Sequence, residues 1–349
     1  MKSVAIVILN YNTRRFLEDF LPSVVATNYS NFKIVVADNA STDDSVKFIK
    51  NNYPAIDLII FGKNHGFTGG YNLALQQVKA DYYVLLNSDV KVHADWLQPL
   101  VELAESRSTI AAVQPKILSY HDPIAFEYAG ASGGFIDEYG YPYCRGRVFE
   151  TLEKDKGQYD DKHRIFWATG AAMLIKADAY HKMGGLDEDF FAHMEEIDLC
   201  WRLQNSGYEI WVEPKSKVWH VGGGTLKKEN PRKTFYNYRN GLVLLYKNLP
   251  SDKVFKVIFM RLLLDHISAY RFLFMGKFGD FKAIAKAHKD FLFRLRYWRQ
   301  KRYSTGGYDV SKTHLNNEDS NAAYNSNMVY KKSIVWQYFI KKKHLFSDL

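Results

Sequence analysis

The chain has 349 residues, of which 47% are hydrophobic and 15% aromatic, and it carries a formal net charge of +9. This length suits two domains or one large domain with an appendage, and the apolar content excludes a wholly disordered chain. The two cysteines, Cys144 and Cys200, exclude a disulfide framework and fit a reducing compartment. Neither has a CxxC partner, which argues against a cysteine zinc site.

The positive charge is concentrated in one segment. Residues 253–302 hold 13 Lys/Arg and three Asp/Glu, whereas residues 1–252 hold 28 Lys/Arg and 31 Asp/Glu. A basic cleft running through the fold is therefore not expected, and no nucleic acid is predicted as a partner. No window of about 20 residues is free of charge, so a membrane-spanning helix is not expected. The apolar run at residues 4–9 is too short for the core of a signal peptide and predicts a buried strand.

Strands and helices alternate through the first half of the sequence. Apolar runs predict strands, and apolar residues at every third or fourth position predict helices. The expected strands cover residues 4–9, 33–37, 58–61, 82–86 and 111–113, and the expected helices cover residues 14–26, 41–49, 70–78 and 94–104. This order predicts an α/β fold with a doubly wound, mostly parallel sheet that is covered on both faces.

The second half departs from this alternation. Residues 119–163 are rich in Gly, Tyr and Asp and predict an inserted region of loops and hairpins. A glycine run at 222–224 followed by Lys227 and Lys228 would suit a flap that carries cations. The expected division is a domain at 1–240 with halves at 1–118 and 119–240, a basic amphipathic helical appendage at 241–303, and a polar loop with a basic aromatic tail at 304–349.

Polar residues follow four successive strands at their carboxyl ends, which is where ligands bind in open α/β sheets. Turn chemistry explains any one of them, because Asn, Asp and Gly favour turns, but four together predict a shared ligand site. The residues are Asn10, Tyr11 and Asn12; Asp38 and Asn39; Asn64 and Gly66; and Asn87 and Asp89. A carboxylate such as that of Asp89 can reach Mg²⁺ or Mn²⁺, which prefer oxygen ligands. The alternative is a helix N-cap, for which Asp95 competes.

A cluster of carboxylates lies further along the chain, at Glu195, Glu196 and Asp198. Such residues can simply complement the dipole at the start of a helix. Asp198 and Arg202 are four residues apart and predict a salt bridge. Glu195 and Glu196 point in different directions on a helix, so one can face a cleft as a general base while the other caps or pairs. The sequence leaves open which of the two is the base.

In this order, the motifs resemble those of the family 2 glycosyltransferases, which have the GT-A fold, and in particular the bacterial rhamnosyltransferase-like enzymes of surface-polysaccharide assembly. The resemblance runs from residue 4 to about residue 240. It rests on ILNYN at 8–12, VADNASTD at 36–43, NHGF at 64–67, GGYN at 69–72, LLNSD at 85–89, WATGAA at 167–172, GGLDE at 184–188, the segment 195–202 and WH at 219–220.

The resemblance implies how a nucleotide-sugar donor would be bound. Asp38 would contact the nucleobase or ribose, and Gly170 and Ala171 would lie beside the donor sugar. The nucleotide pocket would also be lined by Asn10, Tyr11, Asn64 and Asn72.

The resemblance also implies a metal site and a base. Asp89 and His220 would hold Mg²⁺ or Mn²⁺ on the diphosphate, although Asn87 stands where the family usually has a first Asp. Glu196 stands at the position of the family's general-base Asp, with Glu195 as its neighbour.

The implied function is inverting transfer of a sugar from a UDP- or dTDP-sugar, with dTDP-rhamnose as one candidate, to a hydroxyl of a glycan or lipid-linked acceptor in cell-surface polysaccharide synthesis. The departures at Asn87 and Glu196 leave an alternative, a catalytically degenerate member that acts as a membrane-associated scaffold. A nucleotidyltransferase is disfavoured, because no glycine-rich loop bearing Arg or Lys follows the first strand.

The basic segment points to a membrane. Helical geometry gathers Lys253, Arg261, Asp265, Ser268 and Arg271 on one side, with apolar residues over much of the rest. A basic, aromatic-rich amphipathic helix suits an anionic lipid surface. We therefore expect a cytoplasmic protein held peripherally, through residues 253–303, on the inner face of the cell membrane. The alternative is a helical subdomain that packs on the sheet and keeps a solvated basic face.

Overall fold

The structure, a computed structural model, describes residues 1–222, 230–304 and 328–349. The expected flap cations Lys227 and Lys228 lie outside these residues, as does most of the expected polar loop that starts at residue 304. The strands are β1 (Val4–Asn10), β2 (Phe32–Asp38), β3 (Asp57–Ile60), β4 (Tyr82–Leu86), β5 (Val90–Val92), β6 (Ile110–Ser119), β7 (Gly134–Asp137), β8 (Pro142–Cys144), β9 (Arg147–Val148), β10 (Thr151–Leu152), β11 (His163–Ile165), β12 (Ala172–Lys176), β13 (Glu209–His220) and β14 (Val329–Tyr330). The helices are α1 (Arg14–Val25), α2 (Ser45–Asn52), α3 (Gly66–Leu75), α4 (Leu97–Glu105), α5 (Ala177–Lys182), α6 (Glu195–Asn205), α7 (Pro231–Asn248), α8 (Ser251–Phe274), α9 (Phe278–Phe293), α10 (Leu295–Ser304) and α11 (Ile334–Phe339).

The main sheet confirms the expected α/β architecture. Its strands run in the order β3-β2-β1-β4-β12-β6-β13-β11, and β5 pairs with β13. Strands β1 to β4 are parallel to one another, as are β6 and β13, whereas β12 lies antiparallel between β4 and β6. The sheet is therefore mostly parallel, with antiparallel strands on the side that carries the second half of the chain.

The apolar run of β1 is uninterrupted because both faces of the sheet are covered. Ala5 and Val7 pack in one buried layer, and Val4, Ile6 and Ile8 pack in the other. Successive side chains of a strand point to opposite faces, so every position of β1 meets a core.

Two helices begin where local signals did not place them. Helix α3 starts at Gly66, inside the glycine-rich stretch, instead of at residue 70. Helix α2 starts at Ser45, whose backbone N–H donates to Oδ1 of Asp43 at 3.1 Å, and no side-chain bond caps it from Asp44. The helix therefore begins four residues after the expected start at residue 41.

The inserted region forms a second, smaller sheet. Its strands run in the order β10-β9-β8-β7-β14, and β14 comes from the C-terminal part of the chain. Val329 pairs with Ile136 in parallel, and the Ile334 backbone N–H donates to Asp137 at 2.8 Å. The expected hairpins are confirmed, and the C-terminal residues complete their sheet.

The C-terminal helical region is confirmed, but its first helix begins within the expected half at residues 119–240. Helix α7 continues across the expected boundary between residues 240 and 241, and it packs against α6, α8, α9 and α10. In the described part of the chain, no helix has the length and apolar content that crossing a membrane requires.

Helix α8 is rotated relative to the expected amphipathic arrangement. Arg261 and Asp265, expected on the basic face, are buried. Arg261 donates from Nε to Oδ1 of Asp265 at 2.8 Å, and from Nη1 to the carbonyls of Tyr139 and Gly140 at 3.0 and 3.1 Å. The polar side of α8 therefore faces the second sheet, because it finds hydrogen-bond partners there.

Candidate active site

The backbone register of the sheet brings Asp89 and His220 together. Strands β5 and β13 are antiparallel, with Val90 opposite His220, the last residue of β13. Asp89 immediately precedes β5, and its Oδ1 lies 3.2 Å from Nε2 of His220. Both side chains are buried, so two residues far apart in sequence form one compact polar site.

Glu127 lies on the other side of the His220 ring and was not identified from the sequence. Its Oε2 is 3.1 Å from Nδ1 of His220 and accepts the backbone N–H of Ala129 at 2.5 Å. Burial disfavours the imidazolium, but the carboxylates of Asp89 and Glu127 outweigh it and raise the pKa of His220 to about 10. A Cβ at Gly222 would lie 2.6 Å from Oε1 of Glu127, and Gly222 has a φ of +72°, so the chain leaves the site through a position that suits glycine.

The donor set at this site fits a divalent cation. Asp89 offers carboxylate oxygen, and His220 would offer imidazole nitrogen once a cation displaces the proton that the two carboxylates hold on its ring, while Glu127 can orient the ring from the far side. Within the described ranges, no group of three His, Cys, Asp or Glu side chains could hold a metal. Among the described residues, Asp89 and His220 would supply two ligands, and a bound diphosphate would have to supply others.

The loops after β1 and β2 are bonded to each other. Nδ2 of Asn10 donates to Oδ2 of Asp38 at 2.7 Å, and the backbone N–H of Ser41 donates to Oδ1 of Asp38 at 2.9 Å. Oδ1 of Asn12 accepts a backbone N–H of the β2 loop at 2.7 Å. The ring of Tyr11 is exposed between them. The Asp38 carboxylate is therefore oriented from both oxygens, with Tyr11 as the accessible aromatic surface.

Asn39, one of the polar strand-end residues expected at the site, organises the next loop. Its Nδ2 donates to Oδ1 of Asn64 at 3.0 Å and to the carbonyl of Gly66 at 2.9 Å, and its Oδ1 accepts the N–H of His65 at 2.8 Å. A Cβ at Gly66 would lie 3.1 Å from the ring of Phe191. The half at residues 1–118 and the segment before Glu195 therefore meet at Gly66.

The side chain of Asn72 is bonded to Tyr180 and to the turn at residues 184–188. Its Oδ1 accepts bonds from the Tyr180 hydroxyl at 2.7 Å and the Leu186 N–H at 3.0 Å, and its Nδ2 donates to the Leu186 carbonyl at 2.8 Å. These bonds join α3 to that turn, and the place of Asn72 in the nucleotide pocket stays a prediction.

A short series of contacts connects the Asp89 corner to Glu196. The backbone N–H of Asn87 donates to the carbonyl of Ala171 at 3.0 Å. A Cβ at the preceding residue, Gly170, would lie 3.9 Å from Cβ of Glu196. The structure therefore brings together the expected residues Asn87, Asp89, Gly170, Ala171, Glu196 and His220.

The two adjacent glutamates differ in their surroundings. Glu195 is buried and Glu196 is half-buried, and each has a buried Oε2 with no hydrogen-bond partner among the described residues. Burial raises the pKa of Glu196 to about 7, and burial together with the charge of Glu196 raises the pKa of Glu195 well above its usual value. Glu196 is thus poised to exchange a proton near neutral pH, whereas burial and the neighbouring charge of Glu196 favour the protonated form of Glu195.

The loop before these glutamates has an unusual backbone. Phe191, His193 and Met194 have φ values of 62°, 69° and 74°, which non-glycine residues rarely adopt. Asn240 of α7 holds this loop, because its Nδ2 lies 3.0, 2.9 and 2.7 Å from the carbonyls of Phe190, Ala192 and His193. The sequence gives no sign of these contacts, because Asn240 is remote from the loop along the chain.

Asn240→Ala is expected to lower kcat about tenfold while donor affinity stays close to that of the wild type. The substitution leaves buried carbonyls without a donor, which costs about 1–3 kcal/mol and loosens the loop that positions Glu196. Steady-state kinetics checks this, with Asn237→Ala, a half-exposed position on the same helix, as the control. Equal kcat values for both variants would remove the positioning role of Asn240.

The salt bridge expected between Asp198 and Arg202 is confirmed and belongs to a larger network. Nε of Arg202 donates to Oδ2 of Asp198 at 2.8 Å, and Lys247 and Asn248 of α7 donate to Oδ1 at 2.9 and 2.8 Å. Lys247 also bonds Asp187 at 2.5 Å. Burial opposes ionisation of Asp198, but Lys247 and Arg202 outweigh it and lower its pKa to about 2. These bonds join α7 to α6 at Asp198, two residues after Glu196.

Comparison with known proteins agrees with this geometry. The model of glycosyl transferase family 2 matches residues 5–182. The chain belongs to that family, and it is an enzyme of the glycosyltransferase class. This favours an enzyme over the degenerate scaffold considered from the sequence.

Named relatives and a solved structure narrow the class. The chain is 25% identical over 233 residues, 62% of its length and 75% of the relative, to an N-acetylglucosaminyl-diphospho-decaprenol L-rhamnosyltransferase of Mycobacterium tuberculosis strain CDC 1551. It is 26% identical over 230 residues, 62% of its length and 83% of the relative, to rhamnosyltransferase WbbL of Escherichia coli K12. The fold resembles that of GalNAc-T7, solved with UDP, GalNAc and Mn²⁺, with a TM-score of 0.58, 15% identity, and coverage of 72% of this chain and 49% of that one. The chain is thus a rhamnosyltransferase-like member of the family with the GT-A fold.

Proposed function

We propose that this protein is an inverting glycosyltransferase of cell-surface polysaccharide synthesis. It takes a UDP- or dTDP-sugar as donor, with dTDP-rhamnose as the first candidate, and a hydroxyl of a glycan or lipid-linked acceptor. The observation that carries the proposal is the convergence of the Asp89–His220 pair and Glu196 at one edge of the sheet. The donor sugar and the acceptor class are supported by the names of the two relatives.

Glu196 is the proposed general base. A Cβ at Gly170 would lie 3.9 Å from Cβ of Glu196, and a pKa of about 7 lets the Glu196 carboxylate accept a proton from the acceptor hydroxyl at neutral pH. The acceptor oxygen then forms a bond to the anomeric carbon while the bond from that carbon to the diphosphate breaks, which inverts the configuration. When bound to Asp89 and His220, Mg²⁺ or Mn²⁺ supplies charge neutralisation to the leaving diphosphate.

The proposal is tested with a donor panel. Thermal shift with UDP-, dTDP- and GDP-sugars identifies the donor, because a ligand that binds the folded state stabilises it by mass action. Release of the nucleoside diphosphate should then depend on a saccharide or lipid-linked acceptor, and proton NMR of the product should show the inverted anomer. Stabilisation by none of these donors, or a product that retains the donor configuration, would contradict the proposal.

Asp89→Asn is expected to abolish the effect of Mn²⁺ on donor binding. The amide keeps the shape of the side chain but removes the charge that a divalent cation prefers. Isothermal titration of the donor nucleotide, with Mn²⁺ and with EDTA, should show a difference of about tenfold or more in the wild type and little difference in the variant. The control is Asp95→Asn, an exposed carboxylate beyond the other end of β5, which should behave as the wild type. An Asp89→Asn protein that still responds to Mn²⁺ would exclude Asp89 as a ligand.

The proposal includes a cytoplasmic location at the inner face of the cell membrane. Its support is the charge of residues 253–302, 13 basic against three acidic side chains, in a helical region that carries exposed aromatic residues. An acceptor attached to a lipid would be met at such a surface.

A further inference from the structure

Helix α8 turns its most apolar side toward solvent. The α8 apolar face recurs every three or four residues, so it forms one continuous stripe along the helix. Its members are Phe255, Phe259, Leu263, Ile267, Tyr270 and Phe274. Phe255 at one end is 83% exposed and Phe274 at the other is 87% exposed. At 1.5 Å per residue the stripe is about 28 Å long, and a contiguous apolar surface of this kind marks a contact site.

The helix cannot bury this face by rotating about its axis. The opposite side carries Arg261 and Asp265, whose ion pair is completed by the Tyr141 hydroxyl at 2.8 Å from Oδ1 of Asp265. Arg261 also holds the carbonyls of Tyr139 and Gly140 in the turn between β7 and β8. A rotation would leave this buried charge pair without partners, which is strongly unfavourable. The exposure of the apolar face is therefore fixed by the polar contacts behind it.

Exposed apolar side chains also lie next to the end of this stripe. Met275 and Phe278 are exposed in and after the turn that joins α8 to α9. Helix α11 lies close by, since the Arg271 guanidinium is 5.2 Å from the ring of Phe339, and α11 itself exposes Trp336. Aromatic residues of this kind are typical of surfaces at the level of lipid headgroups.

The charges around the face select its partner. Lys256, Arg271 and Lys277 are exposed along it, against one exposed carboxylate, Asp252, in the first turn of α8. A second copy of this chain docked on the same face would bring these cations against each other, which is unfavourable. An anionic phospholipid surface would instead place phosphates beside them.

We infer that the α8 apolar face inserts, parallel to the membrane plane, into the boundary between headgroups and acyl chains of an anionic phospholipid bilayer. The inference rests on the proposed function in one respect, namely that a lipid-linked acceptor would be met at that boundary. Lys256, Arg271 and Lys277 then contact lipid phosphates from the edges of the stripe. Because the buried side of α8 holds the turn at residues 139–141, the second sheet is carried directly behind the membrane-contacting helix.

Flotation of the full chain with vesicles tests this. The wild type should bind vesicles of phosphatidylcholine with phosphatidylglycerol and should not bind phosphatidylcholine alone. The double variant F255S/F274S should lose about tenfold or more of the binding, because two large apolar side chains no longer leave water. The matched control I60S/I124S removes two exposed apolar side chains elsewhere and should bind as the wild type does. K256Q/K277Q should also bind about tenfold or more weakly at low salt, and the difference should shrink as salt is raised.

Three results would overturn the inference. The first is equal binding by the wild type and F255S/F274S, and the second is wild-type binding that does not depend on lipid charge. The third is a wild-type dimer in sedimentation equilibrium that becomes a monomer in F255S/F274S, which would assign the face to a second copy. Thermal shift by the donor nucleotide is measured in parallel and should be unchanged in F255S/F274S. If F255S/F274S does not fold, the vesicle binding of K256Q/K277Q tests the inference instead. Vesicle binding by a chain that no nucleotide sugar stabilises would refute the proposed function and leave this inference standing.

Discussion

Glu196→Gln is expected to reduce sugar transfer about 10²–10⁴-fold while leaving the affinity for the donor nucleotide unchanged. The amide has the size of the carboxylate but cannot accept the proton of the acceptor hydroxyl. Product formation under saturating donor and acceptor measures the loss, and titration of the nucleotide measures binding. A variant that transfers at the wild-type rate would exclude Glu196 as the base.

Two comparisons sharpen this experiment. In the wild type, kcat/KM should fall about tenfold per pH unit below about pH 7, because burial raises the pKa of Glu196 to about 7 and only the ionised form acts as a base. Glu195→Gln is the matched substitution at the neighbouring position, and a smaller loss is expected because burial and the charge of Glu196 raise the pKa of Glu195 and favour its protonated form, which cannot act as a base. If Glu195→Gln instead shows the larger loss and removes the acid limb, the two roles are reversed.

Lys247→Met is expected to lower the free energy of unfolding by about 3–5 kcal/mol. Lys247 is 1% exposed and neutralises both Asp187 and Asp198, so its removal leaves buried carboxylate charge insufficiently compensated. Urea unfolding followed by circular dichroism measures the change. Lys182→Met is the control. Lys182 is an exposed lysine that lines, together with Lys247, a cavity between α5 and α7, and its substitution should change stability by less than about 0.5 kcal/mol.

The same network determines part of the stability at acid pH. Because Lys247 and Arg202 lower the pKa of Asp198 to about 2 in the folded chain, ionised Asp198 contributes stability above its usual pKa of about 4, and this contribution is lost as pH falls toward 2. Lys247→Met should therefore flatten the loss of stability with pH in that window. An unchanged acid dependence would mean that Arg202 and Asn248 alone hold Asp198 ionised.

Local sequence patterns predicted most of the sheet and the strand-end residues. The buried strands β1, β2 and β4 are continuous apolar runs whose ends are set by a change to Asn or Asp, and that change also places the residues of the site. The pair Asp198 and Arg202 was predictable because both residues lie one turn apart on the same helix.

Other features depend on contacts that no local pattern records. Glu127 and Asn240 act on residues that the fold brings close, and neither has a distinctive neighbourhood in sequence. The predicted orientation of α8 was wrong for a different reason. Periodicity shows which residues share a helix face, but it does not show that Arg261 and Asp265 are buried by their contacts with Tyr139 and Tyr141.

The pairing of β5 with β13 has a consequence for the energetics of substrate capture. Asp89 precedes a hydrogen-bonded strand and His220 ends one, so their separation is set when the sheet forms. The conformational entropy of ordering both side chains is lost during folding and does not reduce the affinity for a metal–diphosphate complex. The two proposed metal ligands are therefore preorganised before any substrate arrives.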